Sequence, residues 1–151
     1  MNRLDLALEL RPFSPLEALL HWHQQLAALE GGLPAAAHHF IGRMRGWDGA
    51  CQPLAGLELE HYPGMTEAQV GRLAAACAER HAVRAVLLRH RVGLVAPGEA
   101  IVLLAVAADR RGPAHRCGQE LLEALKHEAP FWKKELRPDG SGTWVQGNTP
   151  L

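Results

Sequence analysis

Cysteine is scarce and scattered. Cys51, Cys77 and Cys117 are odd in number and form no Cys-x-x-Cys pair, so a disulfide framework is not indicated and a reducing compartment fits. An excess of charge is also missing: 16 basic residues balance 16 acidic ones. That balance excludes a chain-wide polyanion-binding role and leaves only local clusters to hold an anion. No apolar run approaches the ~20 residues of a membrane-spanning helix, and the first residues lack the apolar stretch of a signal peptide. A cytoplasmic location is expected. Glycine-rich phosphate loops, the GxSxG nucleophile elbow and the HExxH metal motif are all absent. So are internal repeats and low-complexity tracts.

What is present suits one domain spanning residues 1–151 with a sizeable core. Residues 4–10, "LDLALEL", alternate and predict a strand. Residues 14–30 predict a helix, with Ser14 as cap, Pro15 at the first helical position, Glu17 three residues after the cap, and Gly31-Gly32 as the stop. Residues 35–45 predict a strand that runs into an irregular stretch, 46–54. A second alternating strand follows at 55–62, then a helix at 66–81 capped by Thr66. Strands are expected at 83–91 and 100–108, joined by a turn; the second is apolar on both faces and should be central. A helix at 113–129, a strand at 131–136 and a short final hairpin ending "TWVQ" complete the order. Several strand pairs have connections too short for a parallel crossover. An α+β fold with a mixed or mainly antiparallel sheet is therefore expected.

Nine histidines invite a metal reading. His21 and His23 lie two apart on a helix and point differently, while His38 and His39 are adjacent on a strand. No ligand spacing emerges, so no metal site and no cofactor are expected. Cys51 sits in a loop with no neighbour to lower its pKa, which argues against a nucleophile. The cations are more informative. Arg80, Arg84, Arg89 and Arg91 fall within one stretch free of acids. Arg43 and Arg45 end a strand, and Arg110 and Arg111 stand between the central strand and a helix. Lys126 lies near the end of that helix, with Lys133 and Lys134 on the strand beyond. Strand ends and helix N-termini favour anions, so a shared anion pocket is a reasonable expectation. Alternation places Lys133 and Lys134 on opposite faces and leaves open which one points inward.

Several segments together resemble the large, catalytic subunit of molybdopterin synthase. "HFIGRMR" resembles that family's strand ending in Gly-x-x-Arg, and "LELEHYPGMTEAQV" its Leu-x-x-Glu-x-Tyr-x-x-Met entry into a helix. "HRVGLVAPGEAIVLLAVAADRR" is similar to its His-Arg-x-Gly turn, Gly-Glu turn and apolar strand. "LKHEAPFWKKE" and "DGSGTWV" resemble its lysine signature and closing Gly-x-x-Trp. The matches run in family order from about residue 35 to 145.

The resemblance implies an α/β hammerhead with an added antiparallel sheet. It also implies a reaction: two sulfurs are installed on cyclic pyranopterin monophosphate to form the molybdopterin dithiolene. The sulfur comes from a thiocarboxylate on the C-terminal Gly-Gly of a small ubiquitin-like subunit. The large subunits would form a homodimer within a heterotetramer. Lys126 matches the family's essential lysine and Lys133 its second. Arg45 and Arg111 match its arginines, implied here as phosphate or pterin anchors. This chemistry suits fixed cations, since phosphate and thiocarboxylate are both anions and arginine grips phosphate bidentately. One departure stands out. Arg110 occupies the family's histidine position, and arginine does not release a proton. The tail after Val145 also lacks the basic residues the family often carries. The alternative expectation is therefore a catalytically impaired paralogue that binds the small subunit without turnover.

Overall fold

The computed structural model describes residues 2–145. Its elements, in chain order, are β1 (Arg3–Glu9), α1 (Pro15–Leu26), β2 (Ala36–Arg43), β3 (Gly56–His61), α2 (Met65–Arg80), β4 (Ala85–Arg91), β5 (Gly93–Val95), β6 (Ala100–Ala108), α3 (Arg111–Glu128), β7 (Phe131–Leu136) and β8 (Gly142–Trp144). They form two four-stranded sheets, ordered β1-β4-β6-β2 and β5-β3-β7-β8. The β1–β4 pair is parallel and every other pair is antiparallel. The α+β class with a mixed sheet and an added antiparallel one is thus what the chain adopts.

The first sheet is buried on both faces, as the double-sided apolar pattern of 100–108 requires. On one face α1 packs Leu19, Trp22 and Leu26 against Ala85, Leu87, Leu103, Ala105 and Ala107. On the other, α2 and α3 bring Val70, Ala74, Cys77, Cys117, Leu121 and Leu125 against Val86, Leu88, Leu104 and Val106. Each large apolar side chain buried in this way contributes about 1.5–3 kcal/mol. The close approach of α3 to β2 depends on Gly118, where an added Cβ would lie 2.3 Å from His38 Cδ2. A third cluster, Met44, Leu54, Leu57, Leu59 and Val95 with Ile101, fills the junction between the two sheets.

Four local expectations are corrected. The strand β5 lies where only a loop was anticipated. Gly93, at φ 84°, turns the chain out of β4, and three residues are too few to show a period. Thr66 is not the cap of α2; Gly64 is, at φ 86°, and the Glu67 carboxylate accepts from its N–H. The Thr66 hydroxyl instead accepts from Tyr62 N (2.9 Å) and donates to the Pro130 carbonyl (3.2 Å), tying α2 to the α3–β7 junction. Ser14 does cap α1, accepting from Glu17 N at 3.2 Å. That helix ends at Leu26 and unwinds through turns before Gly31 and Gly32, both with positive φ. Finally, α3 starts at Arg111, two residues ahead of Pro113. The hairpin is present as β7–β8; Gln146 and the tail beyond it lie outside the described residues.

Candidate functional site: a slot between the sheets

The stretch "LKHEAPFWKKEL" makes the corner that builds the site. Helix α3 carries Lys126 in its last turn and stops because Ala129 must be extended ahead of Pro130. The chain then enters β7, which pairs antiparallel with β3. That register resolves the lysine pair. Lys133 stands opposite Leu59, which is 1% exposed, and between Phe131 and Glu135 on the inward face. Lys134 stands opposite Glu58 and Trp144 on the other face, its Nζ 5.5 Å from the Trp144 ring centre. Two depressions meet at Lys133. The inner cavity, about 70 Å³, is lined by Lys126 and Lys133 with His90, Val102, Leu125 and Phe131. The outer cavity, about 180 Å³, is lined by Arg43, Arg45, Trp47, Leu57, Lys133 and Glu135. Ile101 and Lys133 border both, so the two form one slot with cations along its length.

The electrostatics follow from that burial. Removal from water, then the nearby Lys126, pushes the Lys133 amine below the ordinary lysine range. His90 is drawn down to about 4 by burial, with a smaller push from Lys133; its hydrogen bond to the Arg91 carbonyl opposes both. Such a site disfavours its own cations when empty. An anion entering it offsets their repulsion and gains from charges that are already oriented.

The arginine run at 80–91 does not form a pocket. Arg80 pairs with Glu120 (2.6 Å), Arg84 with Asp109 (3.1 Å), Arg89 with Asp5 (2.8 Å) and Arg91 with Glu99 (3.4 Å). Each acid comes from a separate segment, which a local reading of the stretch does not reveal. Arg110 and Arg111 are exposed at the start of α3. Arg111 lines another cavity beside His38 and His115. It lies fifteen residues from Lys126 along α3, or about 22 Å at 1.5 Å per residue. Within one chain, then, Lys126, Lys133 and Arg45 come together, and Arg110 and Arg111 do not join them.

The histidines sort themselves differently. His23 Nε2 lies 2.8 Å from His39 Nε2, and His38 Nδ1 lies 3.3 Å from His115 Nδ1, so the two faces of β2 are fastened to α1 and α3. Among the described residues no group of three or more metal-type side chains converges. Cys51 is exposed and lines neither part of the slot. His90 was matched in the sequence only as part of the His-Arg-x-Gly turn and was given no role of its own. Its signal was there: it keeps the two-residue spacing of the buried Val86 and Leu88.

Comparison with known proteins agrees with this architecture. The profile of the MoaE protein family matches residues 19–128, a range that includes Arg45, Arg110, Arg111 and Lys126 and stops short of Lys133. A molybdopterin synthase catalytic subunit from Mesorhizobium japonicum is 46% identical over 125 residues, covering 81% of this chain and 77% of that protein. One from Haemophilus influenzae is 32% identical over 146 residues, covering 97% of this chain and 92% of that protein. The solved structure of a molybdopterin biosynthesis MoaE protein from Burkholderia ambifaria superposes with a TM-score of 0.73 at 32% identity. It covers 99% of this chain and 92% of its own.

Proposed function

This chain belongs to the MoaE protein family, and from that premise we propose that it is the sulfur-transferring, catalytic subunit of a molybdopterin synthase. Its sulfur donor is the C-terminal Gly-Gly thiocarboxylate of a small ubiquitin-like subunit. Its acceptor is cyclic pyranopterin monophosphate, and the product is the molybdopterin dithiolene.

The observation that carries this reading is the convergence of Lys126 and Lys133 on one narrow cavity that continues to Arg45. A slot this tight admits a glycine tail more readily than one bearing side chains. Lys126 acts at the thiocarboxylate, where an ammonium stabilises negative charge building on the carbonyl oxygen. Lys133 is its electrostatic partner, and Arg45 anchors the phosphate or the pterin at the wider end. Arg110 and Arg111 serve the same anion from a second copy of the chain, because the length of α3 keeps them from Lys126 in their own. Homodimerisation is thus part of the proposal, within a heterotetramer carrying two small subunits.

The test mixes the protein with thiocarboxylated small subunit and cyclic pyranopterin monophosphate and measures dithiolene product. Product is expected, and Lys126→Ala should abolish it while leaving the small-subunit complex assembled. Tight complex formation by the unmodified protein without product would instead support the impaired paralogue that Arg110 raises.

A further inference from the structure

Sulfur transfer from an acyl donor has a mass balance that ammonium and guanidinium groups do not complete. Once the sulfur is bonded to the pterin, it remains bonded to the acyl carbon of the small-subunit tail. The tail is freed as a carboxylate only if water attacks that carbon, and a base must take a proton from the water. A lysine ammonium has donors and no acceptor, and an arginine does not deprotonate.

The inner cavity contains one acceptor suited to this. His90, 8% exposed, stacks on the Phe131 ring at 4.0 Å with 12° between planes. Its Nδ1 lies 2.7 Å from the Arg91 carbonyl oxygen. A carbonyl only accepts, so Nδ1 carries the hydrogen and Nε2 holds the lone pair. The sealed, unpartnered polar side-chain atoms among the described residues are Trp22 Nε1, Gln25 Oε1 and Arg91 Nε. His90 Nε2 is not among them, and the ring lines the inner cavity. The charged groups facing it there are Lys126 from α3 and Lys133 from β7; β6 contributes only Ile101 and Val102.

We propose that His90 is a catalytic base of this site, its Nε2 taking a proton from the water that releases the small-subunit tail. The inference rests on the sulfur-transfer reading above. In the step, the water oxygen bonds to the acyl carbon and the carbon–sulfur bond breaks. The electron pair of that bond leaves with sulfur, which stays on the pterin as thiolate. One water proton goes to His90 and the other leaves the new carboxylic acid for solvent, with no oxidant or reductant. An ammonium of the lysine pair stabilises the tetrahedral oxyanion. In the empty site burial keeps the imidazole neutral, so it stands ready to accept. Bound thiocarboxylate and phosphate offset the lysine charges and raise its basicity during turnover.

His90→Asn retains a side-chain N–H for the Arg91 carbonyl and deletes the Nε2 lone pair. Unmodified and variant proteins are compared in single turnover with thiocarboxylated small subunit and cyclic pyranopterin monophosphate, following dithiolene and, by intact mass spectrometry, any covalent adduct. The variant is expected to form product about 100-fold or more slowly, with a small subunit–pterin thioester accumulating that hydroxylamine cleaves. Its rate should also lack the acid-side fall expected of the unmodified protein. If the unmodified protein turns over and the variant either matches it or slows without an adduct, His90 is not the base and the sulfur-transfer reading stands. If the unmodified protein binds the small subunit and makes no product, that reading fails and this one with it. Circular dichroism and small-subunit binding check the fold, and His90→Gln carries the same comparison should the Asn variant not fold.

Discussion

Lys133 tests the site most sharply, because its effects on stability and on activity should have opposite signs. Lys133 stands opposite Leu59 and lines a cavity with Ile101, Phe131 and Lys126. Burial, then Lys126, acts against its charge. Lys133→Met keeps the length of the chain and removes that charge. Replacing a poorly compensated, partly buried ion with an apolar side chain of similar shape should stabilise the fold by about 1–2 kcal/mol. For a chain of this size that raises the melting temperature by about 3 °C per kcal/mol. The same change removes a fixed cation from where negative charge develops, which costs about 2.7–4 kcal/mol of barrier, or about 10²–10³ in rate. The pH dependence has a definite sign. A lysine whose folded pKa is lowered binds its proton more weakly in the fold than in the unfolded chain. The penalty is full at neutral pH and is relieved as pH rises through the folded value toward the ordinary 10.5. The advantage of Lys133→Met should therefore shrink in alkaline buffer. Thermal melts at neutral pH and near pH 10.5, beside single-turnover rates, measure all three effects. A Lys133→Met protein that is less stable than its parent, or that turns over at the parental rate, would refute the reasoning.

Two further outcomes are expected. Gly118→Ala should cost about 1–3 kcal/mol in urea unfolding by forcing α3 away from His38 on β2; an unchanged midpoint would show that the helix seats elsewhere. Stability should also fall as pH drops from about 6.5 toward 4, because His38, His39 and His90 all bind protons more weakly folded than unfolded. His90 accounts for up to about 3 kcal/mol of that loss, at 1.36 kcal/mol per pKa unit, and His90→Asn should flatten the profile correspondingly.

Much of the fold is legible along the chain because its causes are local. The Ser14 cap, the Pro130 break and the two-faced apolar run of β6 act over a few residues, and each appears where sequence patterning places it. Even the separation of Arg111 from Lys126 was there to be counted, since an unbroken helix converts residues to ångströms. The strand β5 was not legible, because three residues set no period and the partner that makes them a strand, β3, is over thirty residues away.

The chemistry divides along the same line. Local clustering and motif order single out the cations as candidates for an anion site, because charge type is a property of each residue alone. Which cations act together is a property of pairing between distant segments. The β3–β7 register turns Lys133 inward and Lys134 outward, a choice alternation alone leaves symmetric. Remote acids claim Arg80, Arg84 and Arg89. The stacking of His90 from β4 on Phe131 from β7 brings a neutral imidazole into the cavity of the two lysines. These contacts join residues tens of positions apart, so only the folded chain brings them within the few ångströms over which charge and hydrogen bonding act.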